Sequence, residues 1–242
     1  MKNILACLVV SIMFLYGCSV RSISDSGPRD SSYYGQRNSN PLYRGELSEF
    51  DVLGIDPERE YTEEQINEEL IKDAERISMR KGDSILVIQS GAMIPDQDMI
   101  ENMEHYFSVS VFTGIPESDK KSNASYSSSL RYSAAKAGIT KIFVYWGVLE
   151  AGSRNLATKT VSWVPIIGWG VPDENQEIRI RLKIALLDVG TGKWEIFTPP
   201  IFKDTAYSAR ANRSASDQEQ VSLLKAQAYK AAVESTLARY VK

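Results

Sequence analysis

The chain has 242 residues, 28 basic against 31 acidic, a net charge of −3 and 43% hydrophobic content. That length and composition describe one ordinary globular domain. The mildly acidic balance excludes nucleic-acid binding, which needs clustered Lys and Arg for phosphate contacts.

Both cysteines, Cys7 and Cys18, lie in the first twenty residues. Lys2 is followed by an almost wholly apolar run from Ile4 to Leu15. About a dozen residues is too short for a spanning helix, which needs roughly 20. Charge, a short apolar core, then small residues is the pattern of a secretory signal. "LYGC", ending at Cys18, resembles the lipobox of bacterial lipoproteins, with a bulkier Tyr16 than is usual. The resemblance implies a signal peptide over 1–17 and cleavage between Gly17 and Cys18. It also implies acyl chains on Cys18 that hold the protein to a membrane, and two or more such chains anchor stably. In Gram-negative lipoproteins an acidic residue after the cysteine retains the protein at the inner membrane. Ser19 therefore implies sorting to the outer membrane, on its periplasmic face, with the inner membrane and the cell surface as alternatives. The mature chain would keep no thiol and form no disulfide, which a domain of this length does not require.

Residues 18–61 read as a lipidated cysteine followed by a flexible linker, rich in Ser, Asn, Gly and Arg without sustained periodicity. About 40 unstructured residues would span roughly 35 Å. Tyr33, Tyr34 and Tyr43 read as incidental aromatics within it. The globular domain is expected over 62–242.

In that domain Thr62 and Gln65 form a capping-box pattern, and Ile66, Leu70, Ala74 and Ile77 recur at helical spacing. "SILVIQ" predicts a buried strand. Asp96, after Pro95, predicts the cap of a helix carrying Met99, Met103 and Tyr106. "YFSVSVF" alternates as a strand. Leu130, Ala134 and Ala137 mark a further helix, which Gly138 is placed to end. "KIFVYWGV" is continuously apolar, as in a strand covered on both faces. "EIRIRLKIAL" alternates strictly, with Ile178, Ile180, Leu182, Ile184 and Leu186 on one face and Arg179, Arg181 and Lys183 on the other. "VGTGKW" turns it into a hairpin. A long helix over about 217–240 carries Val221, Leu224, Ala228, Ala232 and Leu237. The fold class expected is α/β, with a mixed sheet and helices mainly on one face. The sheet is parallel in the first half, through right-handed crossovers, and built of antiparallel hairpins in the second.

Chemistry is sparse. There is one histidine, His105, read as a helix-C-terminal residue favoured by the dipole. Glu101 and Glu104, with Asp96 and Asp98, read as acidic residues of a helix start, though paired carboxylates also serve sugar chemistry. Serine-elbow, zinc-helix and phosphate-loop patterns are missing, so no catalytic residue, metal or cofactor is expected. Arg179, Arg181 and Lys183 form a basic stripe that reads as a solvated sheet face or as a site for anionic head groups and polymers. "VSWVPIIGWGVPDEN" packs Trp163, Ile166, Ile167 and Trp169 among prolines and glycines. If exposed, these residues contact a partner or the membrane; if folded back, they cap the core.

The stretches "ILVIQSGAMIP", "YFSVSVFTGIP", "LRYSAAKAGITKIFVYWGVLEAG" and "LLDVGTGKWEIFTP" together resemble the YafT-like bacterial lipoproteins. The resemblance covers most of 84–200, the lipobox and the closing helix. It implies lipidation and this fold, and no activity. The element order also looks like the periplasmic α/β domains of curli-secretion and penicillin-binding-protein-activating lipoproteins, an analogy of fold that transfers no function. The expectation is a lipid-anchored periplasmic module that docks an envelope protein or a cell-wall or surface polymer. The alternative is an envelope hydrolase acting through carboxylates.

Overall fold

The computed structural model describes residues 19–25, 43–71, 76–116, 123–155, 174–208 and 213–241. In chain order the elements are β1 (Ser19–Ser22), α1 (Glu49–Leu53), α2 (Glu63–Ile71), β2 (Ser84–Gln89), α3 (Gln97–Glu104), β3 (Ser108–Phe112), α4 (Asn123–Lys136), β4 (Lys141–Asn155), β5 (Glu174–Asp188), β6 (Trp194–Phe197), β7 (Phe202–Ser208) and α5 (Arg213–Tyr240).

The strands form one mixed sheet in the order β3-β2-β4-β5-β6, with β1 on β4 and β7 on β5. β2 runs parallel to both β3 and β4, and every other pairing is antiparallel. This is the mixed α/β sheet expected, parallel first and antiparallel after. β4 and β5, each 15 residues long, pair in unbroken register from Lys141↔Asp188 to Asn155↔Glu174.

The apolar strands have two buried faces. Ile85, Val87, Phe143, Tyr145, Ile180, Leu182, Ile184 and Leu186 pack with Met99 and Met103 of α3 and with Leu224, Ala228, Tyr229 and Val233 of α5. On the other face Leu86, Ile88, Ile142, Val144, Ala185 and Leu187 pack with Val52 and Leu53 of α1 and Leu130 and Ala134 of α4. Most helical residues lie over the first face, and α1 and α4 close the second over the β2 half of the sheet. Double coverage is why β2 and the start of β4 read as continuous apolar runs.

Local signals hold at several ends. Thr62 N–H donates to Gln65 Oε1 at 3.0 Å and Gln65 N–H to Thr62 Oγ1 at 3.3 Å, a reciprocal capping box. Gly138, at φ +73°, ends α4, where Ile139 N–H donates to Ala134 O at 3.0 Å. In the β5–β6 turn Asp188 N–H donates to Lys193 O at 2.9 Å.

α2 departs from its expected role. It buries no residue, and Leu70 is 76% exposed, because both core clusters are completed by the sheet and the other four helices without it. Ile77 is buried, but beyond α2 in the segment that leads to the Met79↔Val241 bridge. Ala74 lies outside the described residues.

The structure also differs from the linker expected over 18–61. β1 pairs with β4 from Ser19↔Ala151 to Ser22↔Val148. Ile23 is 1% exposed, and its N–H donates to Gly147 O at 3.0 Å. Leu47, Val52 and Leu53 are buried in the second core. The physical reason is the length of β4, which continues beyond the end of β2 and needs another neighbour. Gly147 makes the fit possible: a Cβ there would stand 2.5 Å from Ile23 Cδ1. Tyr33 and Tyr34 lie outside the described residues.

Removing residues 1–61 should therefore strip core from the domain. Each fully buried apolar side chain contributes about 1.5–3 kcal/mol, and Ile23, Leu47, Val52 and Leu53 are lost together. A chain starting at Ser19 should melt in one cooperative transition, whereas a chain starting at Thr62 should melt far lower or without cooperativity. Thermal denaturation followed by circular dichroism checks this; equal melting temperatures would contradict it.

Candidate functional site

The long ribbon of β4 and β5 exchanges neighbours half-way along. On its outer edge β4 pairs with β2 up to Gln89↔Tyr145, then with β1 from Ser22↔Val148. β5 pairs with β6 up to Ile184↔Phe197, then with β7 from Ile180↔Phe202. β2 and β1 part at the carboxyl end of a parallel strand, the position at which open α/β sheets bind ligands.

Here the protein fills that position with its own polar groups. Gln89 ends the apolar strand, and its Nε2 donates to Ser24 Oγ at 3.0 Å. Ser24 Oγ in turn donates to Ser90 O at 2.6 Å. Tyr145 OH donates to Gln89 Oε1 at 2.6 Å, and Asp96 N–H donates to the same oxygen at 2.7 Å. Leu47 N–H donates to Ser90 Oγ at 2.7 Å. Buried polar groups must be paired in this way, since an unpaired one costs about 1–3 kcal/mol.

Asp96 occupies the N-cap position of α3, as expected, but its side chain caps nothing there. It turns instead to α5. Lys225 Nζ donates to Asp96 Oδ2 at 3.0 Å, and the Tyr229 hydroxyl donates to the same oxygen. Lys225 and Tyr229 are four residues apart and share one helix face. Lys225 Nζ also donates to Ile23 O at 3.0 Å. One ammonium thus ties the start of α3 and the N-terminal segment to α5.

The two tyrosines pack edge-on, with ring centroids 5.7 Å apart. Burial pushes both phenols well above their usual range, and the neighbouring Asp96 charge adds to it. Both stay protonated and act as donors. The arrangement holds four chain segments together, and its groups are spent on one another.

The other residues singled out in the sequence are scattered. His105 is exposed, and its Nδ1–H donates to Glu101 O within α3. Gln97 Nε2 donates to Glu101 Oε1 at 3.0 Å, and Glu104 is exposed. The basic stripe carries its own counter-charges. Arg179 Nε sits 2.6 Å from Glu150 Oε2, Arg181 pairs with Glu150 Oε1, and Lys183 pairs with Glu49. Ser19 is the first described residue and opens β1. Gly17, Cys18, Trp163, Ile166, Ile167 and Trp169 lie outside the described residues. Among the described residues no group of three or more His, Cys, Asp or Glu could hold a metal, and no helix is long and apolar enough to cross a membrane.

Sequence reasoning missed Ser24, Gln89, Ser90, Tyr145, Lys225 and Tyr229 as a set. The available signal was Gln89 and Ser90 closing an otherwise apolar strand.

The model of the YafT bacterial lipoprotein family matches residues 48–239. The chain belongs to that family. The match runs from the N-cap of α1 to the last turn of α5, so the YafT region takes in most of the polar cluster and leaves β1, Ile23 and Ser24 ahead of it. No curated protein matches the chain. Among solved structures, the chain is similar to the PelC L103M dodecamer from Paraburkholderia phytofirmans, at 14% identity, covering 63% of this chain and 92% of that one. The TM-score of 0.27 is too low for that likeness to carry an argument.

Tyr229→Phe removes a donor from a carboxylate and should cost about 1.5–3 kcal/mol in urea unfolding at pH 7. The phenols also set an alkaline limit. Tyr145 and Tyr229 titrate well above the unfolded value near 10, and Tyr240, buried beside Glu195, is pushed up to about 12. Above about pH 10 the folded chain holds more protons than the unfolded one. This stability is fully present below about pH 10 and is lost as pH rises through the folded values. Urea midpoints at pH 8, 9.5 and 11 should show a plateau and then a fall, shallower in Tyr229→Phe.

Proposed function

We propose that the protein is a lipid-anchored module of the cell envelope, held to the outer membrane on its periplasmic side through acyl chains on Cys18. Its task is to dock an envelope protein or a cell-wall or surface polymer. The observation that carries the reading is the position of β1. It begins at Ser19, directly after the cysteine of the lipobox, and is built into the sheet. Membership of a lipoprotein family supports the anchor. Ser19 in the sorting position supports the outer membrane.

Docking is favoured over hydrolysis by the fate of the carboxylates. Asp96 is bound to Lys225 and Tyr229, Glu150 to two arginines, and Glu101 to Gln97. A hydrolase built on carboxylates needs two of them facing one substrate. The edge of the sheet supports docking as well. Gly114 N–H donates to Ala92 O at 2.8 Å, which sets the loop holding Met93 and Ile94 beside the end of β3. Met93, Ile94, Val111 and Phe112 are all exposed there, the composition of an interaction surface. In this reading Trp163, Ile166, Ile167 and Trp169 are further contacts for the partner or the membrane.

Cys18→Ser should abolish incorporation of a fatty-acid analogue and release the protein from membranes. Equal label in variant and parent would contradict the anchor. Ser19→Asp should move the protein toward the inner membrane on a sucrose gradient, and an unshifted profile would show that residue 19 is not read in sorting.

A further inference from the structure

The strand that follows the anchor runs in a fixed direction, and that direction selects a face of the domain. Ser19 pairs with Ala151 and Ser22 with Val148, so β1 begins at the end where β4 and β5 extend beyond β2 and β6. Consecutive Cα atoms are about 3.8 Å apart, so the acylated residue lies within about 7 Å of Val20.

Around that point none of the described helices covers the second sheet face. α1 and α4 cover it over the β2 half, and among the described residues no helix packs on it beyond Trp146. Two cross-strand rows make up the open half. Val20 stands opposite Glu150, and Glu150 opposite Arg179; Ser22 stands opposite Val148, and Val148 opposite Arg181. Val20 is 62% exposed and Val148 is exposed as well. The side chains of Arg179 and Arg181 are about half exposed, whereas that of Glu150 is only 10% exposed. One buried carboxylate between two guanidiniums leaves a surplus positive charge, flanked by two exposed valines. Apolar side chains beside cationic ones are what a membrane interface selects.

We propose that this open half-face, formed by Val20, Val148, Arg179 and Arg181, lies against the head groups of the bilayer that holds the acyl chains. The inference rests on the anchoring of Cys18 put forward above. The occupant follows from the length of chain outside the strand: one residue separates Ser19 from the lipid, which leaves no slack for the domain to stand away. Phosphate oxygens of the head groups meet the surplus guanidinium charge. α1 and α4 stand on the other half of the same face, so the sheet is held tilted, with the turn between β5 and β6 raised away from the head groups.

The acylated full-length protein tests this in vesicles of phosphatidylethanolamine and phosphatidylglycerol with a nitroxide on the head group. The acylated mature chain has no free thiol, so Val20→Cys or Trp194→Cys each carries a single fluorophore. Trp194 is exposed and pairs with Leu187, which pairs with Ile142. That level is eight residues of β4 from Glu150, or about 26 Å. The probe at position 20 should be quenched at least threefold more than the probe at position 194. Val148→Cys, on an inner strand, repeats the measurement should the probe at position 20 loosen β1. Equal, weak quenching at all three positions in protein shown to carry the acyl label would overturn the orientation while leaving the anchor intact. Absence of the label would overturn the anchor, and the orientation with it.

Discussion

A pair of strands 15 residues long demands hydrogen-bonding neighbours along both outer edges, and no other strand described is long enough to supply one. Buried backbone groups left unpaired are costly, so each edge is filled in two pieces. β2 and then β1 serve β4, and β6 and then β7 serve β5. This division decides where the helices pack. α3 and α5 lie across the first face, whereas α1 and α4 cover only the β2 half of the second. It also creates the junction that Gln89, Ser90, Ser24 and Asp96 fill.

The polar cluster matters because of what it joins. Lys225 reaches both Asp96 and the carbonyl of Ile23, so the long C-terminal helix holds the segment after β1 against the sheet. Ile23 seals the same junction from the apolar side, seated over the bare backbone of Gly147. The anchor proposed at Cys18 would transmit the orientation of the membrane to the whole domain through this segment. This distinguishes the arrangement from a tethered one, in which tens of unstructured residues would let the domain turn freely.

Much of the fold was legible because its signals are local. The capping box of Thr62 and Gln65, the apolar runs of β2 and β4, the alternation of β5, Gly138 as a helix stop and the β5–β6 turn all depend on residues near in sequence. β1 was not legible. "SVRS" is polar, its partner lies near residue 150, and a single buried side chain, Ile23, is too faint a pattern to separate from a linker. The amphipathic spacing of α2 shows which of its faces would be buried, but not that both core clusters are completed by other elements. Arg179 and Arg181 read as free charges because their partner, Glu150, sits on the neighbouring strand. The Asp96–Lys225 contact joins residues 129 apart, and helical spacing places Lys225 only on a face of α5.

The central claim is that the chain is folded from the residue after Cys18. Native-state hydrogen exchange of the Ile23 amide, which donates to Gly147 O, addresses it directly. The account predicts protection comparable to that of Phe143 and Val144 in the middle of β4, lost only when the whole domain unfolds. Exchange of Ile23 at the rate of a free peptide, with β4 still protected, would contradict it.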